Sequence, residues 1–318
     1  MRQDIDASST IVAENRLATV EVTREFVLTK CAYFTDIQVW PLYTKIHPER
    51  WLLNFSNEEL RFAVHLLNAF LYFSQVLVDQ LFASAFQRLS IDMHRGGDTP
   101  QDIRGAWRQF CDTVLITRVT GEEPNDTDSG FHFLRMARQV LGIPEARILG
   151  PRETLSELLT HGSRPVVFVD DFAGSGNQFI ATWRREILVD RSTVMSFNRL
   201  ASSIMRDVSF YYCPVVATEL AEANIKSSCP SVRLSPAHFL SLRYSALSKD
   251  SLIWPPQLRD MGIAFLEEAS ARAGIPSGKW KGFEGLGLAL AFEHGVPDAT
   301  LPLFHWDKGG WRPLIERR

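Results

Sequence analysis

One stretch of the chain sets most of what it can fold into. Pro165-Val166-Val167-Phe168-Val169 is a continuous apolar run, the pattern of a strand covered on both faces. Two acids, Asp170 and Asp171, follow it directly, and then come Phe172-Ala173-Gly174-Ser175-Gly176-Asn177-Gln178. A strand that carries adjacent carboxylates to its C-terminal end, ahead of small residues and a helix start, belongs in an open α/β sheet. Such sheets bind ligands at the carboxyl ends of their strands.

The sequence around this stretch has the matching texture. Residues 113–119 form a β-branched run, read as a strand, followed by a polar loop over 121–130 and an amphipathic helix over 131–141. Further strands are predicted at 146–149, 208–216 and 232–234, with helices at 154–160, 177–189 and 219–227. Strands alternating with helices through short loops predict an α/β fold with a doubly wound, mainly parallel sheet. The first third is mostly helical. Ser56-Asn57-Glu58-Glu59 is a capping box, and the apolar positions after it keep a helical period, so 60–82 reads as buried helix. A helix over 76–89 continues it up to Gly96-Gly97, and another spans 100–110 with Pro100 in its first turn. Near the C-terminus, Pro255-Pro256 opens a helix over 257–273. Residues 288–293 and 300–306 read as two strands joined by 294–298. The expected division is a helical extension over 1–110, an α/β core over 111–250 and a small cap over 251–318.

Charge and cysteine usage narrow the function classes. Lys+Arg number 34 against 37 Asp+Glu, a formal charge of −3, so binding to nucleic acid through bulk positive charge is not expected. The most apolar stretch, 60–82, contains Arg61, His65, Asn68, Gln75 and Asp79, which exclude a cheap membrane crossing. Cys31, Cys111, Cys213 and Cys229 have no C-x-x-C spacing, and the eight histidines have no metal spacing. Charge at Arg2 and Asp4 with no apolar segment predicts no secretory leader, hence a cytoplasmic protein with reduced thiols.

The chemistry concentrates after residue 169. Small residues at 173–176 can turn tightly and aim successive N–H groups at one point, which makes an anion nest. The helix that opens at Asn177 adds unpaired N–H groups and the positive end of its dipole, and Ser175 can add a hydroxyl. An acid pair after an apolar strand, followed by a Ser-Gly turn, resembles the 5-phosphoribosyl-1-pyrophosphate motif of type I phosphoribosyltransferases. The resemblance implies that Asp170 and Asp171 face the ribose hydroxyls as catalytic residues, with Mg²⁺ held through ribose or water. It implies that Ala173, Gly174, Ser175, Gly176, Asn177 and Gln178 wrap the 5′-phosphate. It also implies that the loop after the first core strand, with Asp128, Ser129 and Gly130, offers N–H groups to pyrophosphate; capping of a helix explains those three equally well. Mg²⁺ stabilises the departing pyrophosphate in such a reaction.

The sequence also departs from the motif. Purine salvage members often carry an acid where this chain has Gly174, and no basic flexible loop or base-holding hood is evident. The strings Glu49-Arg50-Trp51-Leu52-Leu53-Asn54-Phe55 and Phe292-Glu293-His294, with 297–304, resemble phosphoribosyltransferase-like proteins of bacterial conflict systems, such as antiphage effectors beside retron reverse transcriptases. That resemblance implies an effector acting on phosphoribosyl pyrophosphate or a nucleotide, with a reverse transcriptase or retron complex as partner. The alternatives are a non-catalytic nucleotide sensor and a housekeeping salvage enzyme. Lys226 and Arg233 are second candidates for pyrophosphate. Phe304, Trp306 and Trp311 read as core. His294 and His305 have no carboxylate at fixed spacing and read as structural.

Overall fold

A computed structural model describes residues 21–41, 45–93, 99–120, 129–203 and 208–316. The front of the chain supplies helices α1 (Arg24–Asp36) and α2 (Leu60–Ala69), strand β1 (Leu71–Phe73), and helices α3 (Gln75–Gln87) and α4 (Pro100–Thr113). The α/β part follows as β2 (Leu115–Arg118), α5 (Ser129–Gln139), α6 (Pro151–His161), β3 (Val166–Ala173) and α7 (Asn177–Arg184). It continues through β4 (Phe210–Thr218), α8 (Glu219–Ser228), β5 (Val232–Leu234) and β6 (His238–Leu240). The chain closes with α9 (Pro256–Arg272) and β7 (Leu290–Phe292).

The central sheet runs β2-β3-β4, and β5 and β6 lie one after the other along the far edge of β4; every pairing is parallel. Alternating residues of β3 face opposite layers. Val167 and Val169 pack under α3 and α5, whereas Val166 and Phe168 pack under α6, α7 and α8. Helices therefore cover both faces, the doubly wound arrangement that the alternation of elements requires. A separate cluster joins the two chain ends. Trp51, Phe55, Phe62 and Phe70 pack with Phe265, Leu303, Phe304 and Trp311. Trp51 is fully buried, stacks on Phe304 at 5.3 Å and donates from Nε1 to the Leu303 carbonyl at 2.8 Å. Phe304 and Trp311 are core residues, and Trp306 packs half-buried against the same cluster.

Several local expectations need correction. The run 60–82 is not one helix. Phe70 leaves helical geometry (ψ 124°), Leu71–Phe73 pair in parallel with Leu290–Phe292, and the Ser74 hydroxyl caps α3 by accepting from the Leu77 amide at 3.4 Å. An apolar run has the same texture in either state, and here a partner more than 200 residues away decides it. Residues 146–149 make a short 3₁₀ turn and a single bridge, Ile148 to Ile116, instead of a strand. The helix after residue 177 stops at Arg184, where Arg185 turns extended (ψ 125°) and Ile187–Leu188 pair with Val194–Met195. Residues 288–293 and 300–306 are not two joined strands, because only Leu290–Phe292 form one, β7, paired with β1, and Pro302–Phe304 form a 3₁₀ turn. The capping box is present, with Glu59 accepting from the Ser56 amide at 2.9 Å. Gly96-Gly97 lie outside the described residues. All four cysteines are free, and among the described residues no helix is long and apolar enough to cross a membrane.

Candidate functional site

β3 extends through the acid pair, so Asp170 and Asp171 sit within the strand and not after it. Strand alternation sends them to opposite faces. Asp170 is 4% exposed; its Oδ2 accepts from the Tyr212 hydroxyl at 3.1 Å and its Oδ1 from the Asp171 amide at 3.0 Å. Tyr212 is placed for this by register, since it pairs with Phe168 and points to the same face of the sheet as Asp170. Asp171 turns the other way. Its Oδ2 meets His294 Nε2 at 2.8 Å and its Oδ1 accepts from the Phe172 amide at 2.8 Å.

This asymmetry splits the two acids. Burial, then the neighbouring Asp171 charge, push the Asp170 carboxyl well above its usual range. Burial acts on Asp171 in the same sense, but the His294 hydrogen bond and charge outweigh it and hold that carboxyl below its usual range. The surroundings therefore favour negative charge on Asp171 over Asp170. Burial, followed by the adjoining acid pair, raises the Tyr212 hydroxyl far above its ordinary value, so it remains a donor.

Beyond Ala173 the chain turns through Gly174-Ser175-Gly176 into α7. Gly176 is the N-cap, at φ 79° and ψ −2°, and it has no side chain with which to cap the helix. A Cβ there would also come within 2.9 Å of Ile225. The first-turn N–H groups of α7 consequently open onto the turn; only the Asn177 amide has a local acceptor, Ser175 Oγ at 3.3 Å. The turn is fastened from β4 and α8. Thr218 Oγ1 donates to the Gly174 carbonyl, and Asn224 Nδ2 to the Ser175 carbonyl at 2.9 Å. Phe179 of α7 stacks on Tyr212 at 4.3 Å, which ties the helix start to the acid pair.

These residues line one cavity of about 620 Å³. One wall is Asp171 with residues 172–179 and Tyr212. The opposite wall comes from elsewhere in the chain: His132 from α5, Phe283, and residues 294–299. Asp170 stays behind the wall. The loop expected to meet pyrophosphate leaves β2 at the same end of the sheet, where Thr120 is held to α7 through Thr182, its amide donating to Thr182 Oγ1 at 3.0 Å. Asp128 and the side chain of Ser129 lie outside the described residues, and Gly130 is buried in the first turn of α5. Arg233 is not at the site. It pairs with Asp92 and registers with Tyr211, at the opposite end of the sheet. Lys226 lies in the last turn of α8, also remote from the ligand end.

His294 is the residue that spacing missed. Its carboxylate partner lies 123 positions away in sequence, so no local signal could pair them. Its ring is fixed between neighbours, stacked at 5.3 Å on Phe292 and edge-on to Phe133 at 6.1 Å. His132 carries no local signal either, because its neighbour in the wall is the His294 ring, and Tyr212 is hidden inside an apolar strand.

The donor set does not fit a Mg²⁺ ion held directly on the acids. All four carboxylate oxygens already accept a hydrogen bond, burial pushes the Asp170 carboxyl well above its usual range, and Asp170 is not among the residues that line the cavity. Among the described residues, no group of three or more His, Cys, Asp or Glu is arranged to hold a metal ion.

No curated protein matches the chain. A family model, PRTase-CE, matches residues 48–317, a span that includes the acid pair, the small-residue turn and the wall around His294. Taken with a parallel α/β sheet whose cavity opens at the carboxyl ends of its strands, that match shows that the chain belongs to the PRTase-CE family, a phosphoribosyltransferase-like family.

Proposed function

We propose that this protein binds a 5′-phosphoribosyl ligand, phosphoribosyl pyrophosphate or a nucleotide, and acts on the bond at C1′. The single observation that carries the reading is the uncapped start of α7, whose N–H groups open beside Ser175 into a cavity that also holds the charged Asp171. The 5′-phosphate sits on residues 173–178, held by backbone N–H groups and the helix dipole. Asp171 accepts from a ribose hydroxyl. Its fixed negative charge stabilises the positive charge that develops at C1′ as the bond breaks. Asp170 acts from behind, as a buried hydrogen-bonded support that orients Asp171. Mg²⁺ held through ribose or water, as the resemblance implies, needs no direct seat on this pair, and the reading does not require one there.

Asn177→Asp tests the phosphate seat. An acid in the first turn is favourable to α7 but sets a negative charge against the ligand phosphate. Calorimetric titration with phosphoribosyl pyrophosphate and with a nucleoside monophosphate should show at least about tenfold weaker binding in the variant. Unchanged affinity removes the phosphate reading.

An effector role is supported by the strings that resemble conflict-system proteins, residues 49–55 and 292–294 with 297–304. Cells expressing the wild type should show an altered nucleotide pool and fewer phage plaques, and Asp171→Asn should show neither. A sensor is favoured instead by Gly174, which lacks the acid of purine salvage enzymes; a Cβ at that position would lie 2.8 Å from the Phe172 ring, so an acid there requires that ring to shift. Ligand binding with no change in nucleotide pools selects the sensor.

A further inference from the structure

Two buried polar atoms in the cavity wall, His294 Nδ1 and His132 Nε2, have no hydrogen-bond partner among the described residues. A buried polar atom without a partner is costly, so two on adjacent rings call for a common explanation. The ring centres lie 5.4 Å apart, with the planes tilted by 34°. Two imidazoles sharing one ion, each nitrogen about 2.0–2.1 Å from it in tetrahedral geometry, bring their ring centres to roughly 5 Å. The far side of His294 is already built as ligating histidines require, with Nε2 bonded to the Asp171 carboxylate at 2.8 Å. Packing against Phe292 and Phe133 fixes the ring. Two carboxylates, Asp79 and Asp171, act on the His132 ring, set against Arg135 and the neighbouring His294.

We infer that His132 and His294 form a two-imidazole seat for a borderline transition-metal ion such as Zn²⁺, with Asp171 as the outer carboxylate. The acid pair is then a support for an imidazole site, and not itself a cradle for Mg²⁺. Imidazole nitrogen favours Zn, Cu and Ni, whereas Mg²⁺ prefers oxygen. Two protein ligands leave coordination positions open towards the cavity, to be filled by water or by oxygens of an anionic ligand. That completion rests on the phosphate reading above; the imidazole seat does not.

The test titrates the intact protein with Zn²⁺ and, separately, Mg²⁺ by calorimetry, with and without inorganic pyrophosphate, and examines Cu²⁺ loading by pulsed electron paramagnetic resonance. Zn²⁺ should bind in preference to Mg²⁺, more tightly with pyrophosphate, and Cu²⁺ should show imidazole-nitrogen couplings. His132→Gln and His294→Gln keep polar side chains and should each weaken Zn²⁺ binding at least tenfold. Asp171→Asn should weaken it by roughly 10–100-fold through loss of the outer carboxylate. Circular dichroism of each variant separates loss of the seat from loss of the fold. Equal binding of Zn²⁺ and Mg²⁺, or nitrogen couplings that survive in the double histidine variant, overturns the inference. If Asn177→Asp fails to weaken binding of phosphoribosyl pyrophosphate and of a nucleoside monophosphate while Zn²⁺ binding stays histidine-dependent, only the phosphate reading falls. If phosphate ligands bind but no histidine-dependent Zn²⁺ site exists, only the ion seat falls.

Discussion

The central sheet and the layer built from the two chain ends are stabilised by the same kind of buried surface, yet they are assembled differently. In the sheet, neighbours in space are near neighbours in sequence. β3, its turn and α7 lie within 19 consecutive residues, and each β-α unit carries its own apolar run and helix start. In the layer, Trp51 meets Phe304 and Leu71 pairs with Leu290, so no segment has an identity until its distant partner arrives. The cavity lies where the two meet. The sheet contributes the phosphate turn and the acid pair, and the layer contributes Phe283 and residues 294–299.

The strongest way to break that comparison is to remove the contact that joins the chain ends. Trp51→Ala deletes a fully buried indole stacked on Phe304 and bonded to the Leu303 carbonyl. Losing a buried Trp costs about 3–5 kcal/mol. Chemical denaturation should show that loss in a single transition if layer and sheet unfold together. Two transitions, with only the first displaced, would make the layer an independent unit.

A smaller effect is expected inside the sheet. Gly176→Ala puts a Cβ on a residue at φ 79°, 2.9 Å from Ile225. The backbone conformation alone costs about 1–2 kcal/mol. Binding of a phosphate ligand should fall by more than stability explains, because the turn aims its N–H groups only in this conformation. Equal binding per folded molecule would show that the turn's shape is dispensable.

This contrast also explains what could be read in the sequence. The acid pair, residues 173–178 and the strand-helix alternation were legible because a strand, a turn and a helix start are local events with local signatures. Lengths were less legible: β3 runs on to Ala173 because Asp170 and Phe172 find register partners in Pro214 and Val216. His294 was not legible at all. Its role depends on β7 pairing with β1, which carries residue 294 to the carboxyl end of β3, and neither short strand is distinguishable from a buried helix by periodicity.

The adjacent acids allow a sharper comparison, because the neighbouring structure gives them opposite signs. Asp171 has a lowered folded pKa through His294, so its stabilisation is present above the unfolded value of about 3.9 and is lost as pH falls through the lower folded value. Asp170 has a raised folded pKa through burial and Asp171, so its contribution is full below about pH 3.9 and is lost as pH rises towards its folded value. Asp170→Asn should therefore leave stability at neutral pH unchanged or raise it, since the amide imitates the protonated acid. Asp171→Asn should lower it. Denaturation midpoints at pH 7 and pH 3 would measure this, and two substitutions with the same sign at pH 7 would remove the assigned split.

The smallest effect is expected at Gln178, and it discriminates between backbone and side-chain binding. Gln178 lies in the first turn of α7 with its side chain exposed, and no contact of that side chain helps to hold the turn. Its carbonyl accepts from the Thr182 hydroxyl at 2.8 Å, an interaction that any residue can provide. Gln178→Ala should change stability by no more than about 0.5 kcal/mol, as for an ordinary surface site. If the phosphate is bound by N–H groups and the helix dipole, affinity should also be retained, because alanine keeps both the amide and the helix. Asn177→Asp at the adjoining position keeps those amides as well but adds a charge, and there affinity should fall. Titrating the two variants with the same ligand compares a lost side chain with an added charge on one helical turn. A large loss in Gln178→Ala would move recognition from the backbone to the side chains.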